Sequence, residues 1–255
     1  MRCYACGGTY ARTIMQAFAR GAGGDYVEQA FPRYVPDVTV VWGLARGGPE
    51  IIEKSEKAGD PWFAVDHGYV LRGHTHGYYR VTYRGFQKTW VEDRPEDRWQ
   101  ALGKALMPWK TGSKVVIVPP SETVRALFGP CELPAGIESK KDGKPVTEKF
   151  PDAGVIVTWN SVAAVEAVIA GIPCVVYGES AAKPVASPSV DDIRTPDRQE
   201  WAKSLAYGQF TLKEMEAGVA WKVLCAYLSD TTAERSCRGT SYAIPSFPGV
   251  AFRSP

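Results

Sequence analysis

Asp66 and His67 end a short apolar run, WFAVD, and Asn160 and Ser161 stand in the turn WNS between the apolar run VIVT and the helix-like AAVEAVIAG. Both placements have chemical meaning. In a parallel αβ sheet the carboxyl ends of the strands face the ligand, and a helix N-terminus there offers unpaired N–H groups and a positive dipole end to a phosphate. Asn160 or Ser161 suits the cap of such a helix, and the run Ser161, Val162, Ala163, Ala164 carries alanines small enough for a diphosphate to approach the backbone. Glu166, five residues past Ser161, is placed to face the same cleft and accept bonds from a ribose diol. The plainer alternative is that Asn160 and Ser161 only cap a core helix and Glu166 is solvated. The spacing matches neither a GxGxxG dinucleotide loop nor a Walker loop. Asp66, directly or by orienting His67, suits a general base that takes a proton from an acceptor hydroxyl. Equally, Asp66 could cap a turn while His67 bonds a carbonyl.

Other polar residues extend this set. Ser121 follows VVIVPP, where a hydroxyl or backbone N–H meets a phosphate, and Lys183, shortly after the run ending at Gly178, is a charge partner for a departing phosphate or simply a solvated lysine. His74 and His76 sit near loop tips. Asp191 and Asp192 fall in a proline-rich loop, and no DxD stands between apolar runs, so the expectation is chemistry without a metal or resident cofactor. Cys3 and Cys6 form a CxxC with no second pair or histidine cluster at ligand spacing, while Cys3 and Cys174 lie in strand-like runs and read as buried reduced thiols.

The elements that must position these groups follow from periodicity. RCYAC is a strand, glycines turn the chain, and ARTIMQAFARG repeats Ile14, Met15, Phe18 and Ala19 at helical spacing. VTVVW and WFAVD add two strands around the helix IIEKSEKAG, which argues for a parallel sheet with helices on its faces. From Gly68 to Val91 the alternation of aromatic and basic residues suits antiparallel β structure or a long surface loop. RPEDRWQALGKAL suits a short helix. The second half repeats the αβ alternation: VVIVPPSETVRALFG and GVIVTWNSVAAVEAVIAG are each strand, turn and helix, and IPCVVYG is another strand. GIESKKDGKPVTEKFPDAG between them is expected as a connecting loop, and helices are expected at Gln199 to Ala206 and over LKEMEAGVAWKVLCAYL, before a loose tail.

NSVAAVEAVIAGIPCVVYG resembles the donor-binding turn of GT-B glycosyltransferases, including the peptidoglycan lipid-intermediate and capsule-type transferases, in which Ser/Thr and small residues precede a Glu, a G-x-P and a strand. Glu166, Gly171 and Pro173 fall in matching order. The resemblance implies an α/β fold of two Rossmann-like parallel-sheet domains facing a cleft. Residues 1–110 would form the acceptor-side domain, 111–200 the donor domain, and 201–255 helices packing back toward the first domain plus a tail. It also implies that Ser161 to Ala164 hold the diphosphate of a nucleotide-sugar, a co-substrate rather than a cofactor, and that Glu166 holds its ribose. CGGTYART is similar to the family's glycine-rich first loop, which assigns Gly7, Gly8 and Thr9 to the acceptor loop. SLAYGQFTLKEMEAG resembles a segment of bacteriophage proteins of this type.

The chain of 255 residues is 45% hydrophobic, with a net charge of +2, so no global field draws in polyanions. Any basic surface must be local. Arg72, Arg80, Arg84 and Lys88, with Arg94, are interleaved with Tyr78, Tyr79, Tyr83, Phe86 and Trp90, the composition of a nucleic-acid surface, or of an antiparallel hairpin with its aromatics in the core. Combined with the phage-like segment, this favours a transferase moving sugar, from UDP-sugar by preference, onto hydroxymethylated pyrimidines such as hydroxymethylcytosine in bacteriophage DNA. The alternatives are a capsule or cell-envelope acceptor, a nucleotide-sugar epimerase, or a non-catalytic nucleotide-binding module. No apolar run of spanning length and no secretory signal is present, so the expected location is cytoplasmic, in the host cell if viral, with no membrane partner.

Overall fold

The computed structural model describes residues 1–5, 9–28, 35, 37–44, 47–72, 77–140 and 142–229. Gly7, Gly8, His74, His76 and the expected tail lie outside the described residues, and Thr9 enters only as the backbone start of a helix.

The first half runs β1 (Arg2–Ala5), α1 (Thr9–Ala22), β2 (Asp25–Glu28), β3 (Thr39–Trp42), α2 (Gly48–Ala58), β4 (Trp62–His67), β5 (Tyr78–Tyr83) and α3 (Asp97–Ala101). The second runs β6 (Lys114–Val118), α4 (Glu122–Phe128), β7 (Ile137–Glu138), α5 (Val146–Lys149), β8 (Ala153–Thr158), α6 (Ala163–Ile169) and β9 (Cys174–Val176). After a 3-10 turn at Lys183–Val185 come α7 (Gln199–Tyr207), β10 (Gln209–Thr211), α8 (Leu212–Glu216) and α9 (Val219–Ser229). Two sheets result. One has the order β10-β5-β4-β3-β1-β2, parallel from β4 to β2 with β5 and β10 antiparallel, and the other is wholly parallel with the order β7-β6-β8-β9. The protein is therefore mixed α/β with two largely parallel sheets.

Alternation along the strands explains how each sheet buries both faces. Cys3, Val40, Phe63 and Val65 cluster with Ile14, Met15 and Phe18 of α1 and with Met215 and Leu224 of the last two helices. Their strand neighbours Tyr4, Val41, Trp62 and Ala64 cluster with Ile51 and Ile52 of α2 on the opposite face. In the second sheet Val116, Ile156 and Cys174 share a core with α6 and with Trp201 and Leu205 of α7, and Ile117, Val155, Val157 and Val175 pack on the other side. That larger core also takes in Tyr69, Val70, Trp99 and Leu102 from before residue 110. After α7 the chain returns to the first sheet through β10, and α8 and α9 pack on α1, where Gly21 and Gly218 meet backbone to backbone.

One strand escapes the sequence pattern, and two sequence expectations are corrected. β2, an edge strand with exposed Asp25 and Glu28, has too little apolar alternation to announce itself. The polar stretch after Gly136 is not only a connection: it contains the two-residue edge strand β7 and the short helix α5. The helix expected over LKEMEAGVAWKVLCAYL is two helices, because Gly218 adopts φ +78 and turns the chain between them. Among the described residues no helix is long and apolar enough to cross a membrane.

Candidate functional site

The β8–α6 connection is built from its own hydroxyls. The Thr158 hydroxyl donates to the Val118 carbonyl (3.1 Å), tying β8 to β6, and accepts the Ser161 N–H (3.2 Å). Ser161 Oγ in turn accepts the Ala163 N–H at 3.2 Å, closing the turn before α6, but the cap position itself is Val162, without a side-chain cap bond, and not Asn160 or Ser161 as expected. Ala163 and Ala164 are buried against the core, which corrects their expected place along an open phosphate path: they explain close helix–sheet packing rather than access. Val162 is partly buried beside them. Asn160 is only 9% exposed, and its carbonyl accepts a bond from Nε2 of Gln87, whose Oε1 is buried without a partner among the described residues. Glu166 is paired with Arg72.

The far end of α6 is fixed as firmly. Gly171 has φ +77, and a Cβ there would stand 2.0 Å from the Pro108 carbonyl oxygen, so the glycine of the G-x-P is dictated by a strap, residues 107–110, crossing beneath it. Lys110 N–H donates to the Gly171 carbonyl at 2.6 Å. The buried Arg198 guanidinium donates to the carbonyls of Val168 and Met107 and lies 3.9 Å from the Trp109 ring centroid, satisfying the end of the helix.

At the end of β4 the arrangement differs from expectation. Arg80, opposite Asp66 on β5, is only 4% exposed, and donates to Asp66 Oδ2 (2.6 Å), the His67 carbonyl (2.6 Å) and the Phe86 carbonyl (3.0 Å). Asp66 Oδ1 accepts the His67 N–H at 2.7 Å. Each carboxylate oxygen thus accepts one bond and keeps a further lone pair, and the His67 ring meets Trp42 edge-on with centroids 5.6 Å apart. Arg80 is corrected: it is an internal tie, not a nucleic-acid contact. Burial pushes the phenol of Tyr69, whose ring lies 5.3 Å from the Arg80 guanidinium, above its ordinary range.

The rest of the basic and aromatic stretch also turns to its own chain. Tyr79 and Tyr83 are buried, Arg84 lies over the Tyr83 ring, Lys88 sits 3.6 Å from the Trp90 centroid, and Arg72 pairs with Glu166. The hairpin alternative explains this composition: aromatics fill the core of β5 and the basic groups cover them.

Two segments leaving the first sheet, 68–72 and 84–88, reach the carboxyl ends of β8 and β9. Arg72 meets Glu166, Gln87 meets Asn160, and Glu179, just past β9, accepts the backbone N–H groups of Phe86 and Gln87. Gln87 and Glu179 were not singled out from sequence; a glutamine in an aromatic stretch and a glutamate in a polar loop carry no local signal. Ser121 caps α4 by accepting the Val124 N–H at 3.3 Å, beside a cleft of about 300 Å³ lined by Pro119, Pro120, Arg125 and Leu133. Lys183 opens the 3-10 turn with its side chain exposed. Among the described residues no group of three or more His, Cys, Asp or Glu side chains is arranged to hold a metal ion.

No protein-family model matches the chain, and no curated protein matches it. Among solved structures, the β-Kdo 2,4 transferase of Thermosulfurimonas dismutans KpsC is similar over 81% of this chain and 91% of that one, with 11% identity and a TM-score of 0.46. The β-Kdo 2,7 transferase of the same KpsC is similar over 87% of this chain and 99% of that one, with 12% identity and a TM-score of 0.46.

Proposed function

We propose that this protein is a glycosyltransferase that moves a sugar from a nucleotide-sugar to a hydroxyl acceptor. The observation that carries the reading is the buried Gln87 Oε1, without a partner among the described residues, on the glutamine whose Nε2 donates to the Asn160 carbonyl at the carboxyl end of a parallel strand. A buried polar side chain without a partner costs on the order of 1–3 kcal/mol, a cost that a bound polar ligand removes. In this reading Asn160 and the turn through Ser161 hold the donor's phosphate, Glu166 accepts the ribose hydroxyls, and Lys183 offers positive charge to the departing phosphate. His67 takes the acceptor proton. Arg72 is five positions further along the chain, so the His67 Cα lies within about 18 Å of the Arg72 Cα. Asp66 and Arg80 hold the strand end that carries it.

The acceptor is a hydroxyl compound; a DNA acceptor loses its main sequence argument once Arg80 is internal and Lys88 and Arg84 cover aromatic rings. The test incubates the protein with UDP-, GDP- and CMP-sugars and either hydroxymethylcytosine DNA or a saccharide panel, followed by mass spectrometry. The expected result is a mass gain of one sugar residue on one acceptor class; no gain with any pairing removes the transferase reading. Calorimetry with Glu166→Ala is expected to show weakened nucleotide binding, and unchanged affinity takes Glu166 out of the site.

A further inference from the structure

Arg72 lies on the segment that leaves β4, and its Nη2 donates to Oε1 of Glu166 on α6. The side chains are 46% and 21% exposed, so the arginine is open to water while Glu166 is partly buried, and solvent screens the pair from the arginine side. The residue before it is strained. Leu71 has φ +50, and with Arg84 at φ +46 it is one of the two non-glycine residues at positive φ among the described residues. A leucine side chain offers no local hydrogen bond to offset this conformation. Leu71 is also 44% exposed, so its burial does not account for the conformation. Both strained residues belong to the segments that reach across to α6 and β9: Leu71 precedes the arginine that meets Glu166, and Arg84 precedes the residues held by Glu179 and Asn160. The carboxylate assigned to the ribose is therefore occupied by a solvent-exposed cation on a strained support.

We propose that Arg72 is a two-position arm: it pairs with Glu166 when no ligand is bound, and passes its guanidinium to the phosphate of an incoming nucleotide, freeing Glu166 for the ribose hydroxyls. The inference rests on the donor reading above. The exchange is favoured because a doubly charged phosphate group offers the guanidinium more negative charge than one carboxylate does, in the same short, bidentate, charge-assisted geometry. Glu166 gives up its cation for two hydroxyl donors and keeps its contact with solvent. Arg72, grouped by composition with nucleic-acid contacts, becomes a donor-binding residue.

The arm makes opposite predictions for two ligands of one full-length protein. Calorimetry is run with UDP, GDP and CMP and with uridine, guanosine and cytidine, on wild type, Arg72→Ala and Arg72→Lys. Arg72→Ala is expected to weaken nucleotide binding about tenfold or more through the lost phosphate contact, and to tighten nucleoside binding a few-fold because Glu166 is already free. Arg72→Lys is expected to recover part of the nucleotide affinity. Arg72 is surface-exposed, and an unchanged melting temperature confirms that the variants fold. Nucleotide and nucleoside affinities that are both unchanged, or weakened by the same factor, overturn the arm while leaving the donor site in place. A wild-type protein that binds none of the nucleotides overturns the donor reading, and the arm with it.

Discussion

The Arg80 guanidinium lies 2.6 Å from Asp66 Oδ2 through one nitrogen and 2.6 Å from the His67 carbonyl through another, so one buried cation fixes both residues that end β4. Arg80→Met removes the cation and leaves a partly buried carboxylate and two carbonyls without their donor. We expect a loss of about 3 kcal/mol in folding stability, measured by urea denaturation. A change below about 0.5 kcal/mol would show that water substitutes freely there.

For turnover, the same geometry separates neighbours. His67→Ala is expected to lower the transfer rate by about 10²–10⁴ with nucleotide affinity unchanged, the usual contribution of a positioned base. Asp66→Asn keeps an acceptor for the His67 N–H or for Arg80 and is expected to cost far less. Single-turnover rates on both variants decide the matter; a larger loss in Asp66→Asn than in His67→Ala returns the role of base to Asp66.

Gly171→Ala tests the strap under α6. The new methyl would meet the Pro108 carbonyl at 2.0 Å on a backbone at φ +77, combining overpacking with left-handed strain. We expect about 3 kcal/mol of destabilisation. Gly59→Ala serves as the control: φ is +76 but nothing lies within 4 Å, so only the backbone strain remains, about 1 kcal/mol. Thermal melts that fail to rank the two in this order refute the clash.

Burial pushes the thiols of Cys3 and Cys174 up to about 12. The folded state therefore holds both as neutral thiols to higher pH than the unfolded chain, whose thiols ionise near the ordinary value of 9.0. Because the folded pKa is the raised one, this contribution is fully present below about pH 9 and is lost as pH rises from about 9 toward 12. Urea midpoints are expected to hold steady to about pH 8.5 and then fall. Cys3→Ala/Cys174→Ala should flatten that fall, and an unaltered slope assigns it to other groups. Native alkylation at about pH 8 should spare both thiols and label them only on unfolding.

Much of the fold is legible in local pattern. The strands at Cys3, Val40, Phe63, Val116, Ile156 and Cys174 announce themselves as apolar runs, and Ile14, Met15 and Phe18 mark the buried face of α1, because a sheet covered on both sides needs continuous apolar strands and its helices need one apolar stripe. The weak edges β2 and β7 and the returning strand β10 escape this pattern. Three residues such as Gln209, Phe210 and Thr211 become a strand only because β5 presents free backbone groups to them.

The sequence alone determined the two runs of αβ alternation, the buried thiols and the Asn160 to Glu166 turn, since each is encoded within about one strand and one helix of contiguous residues. Only the tertiary structure decided which polar groups meet. Arg80 and Asp66 are 14 residues apart, Glu179 and Phe86 are 93 apart, and Arg72 and Glu166 are 94 apart. An arginine in an alternating stretch has the same local signature whether it faces water, a phosphate or a buried aspartate. Its partner is chosen by how the two sheets bring their carboxyl ends together, and that choice turned a candidate nucleic-acid surface into internal ties and the Arg72–Glu166 pair.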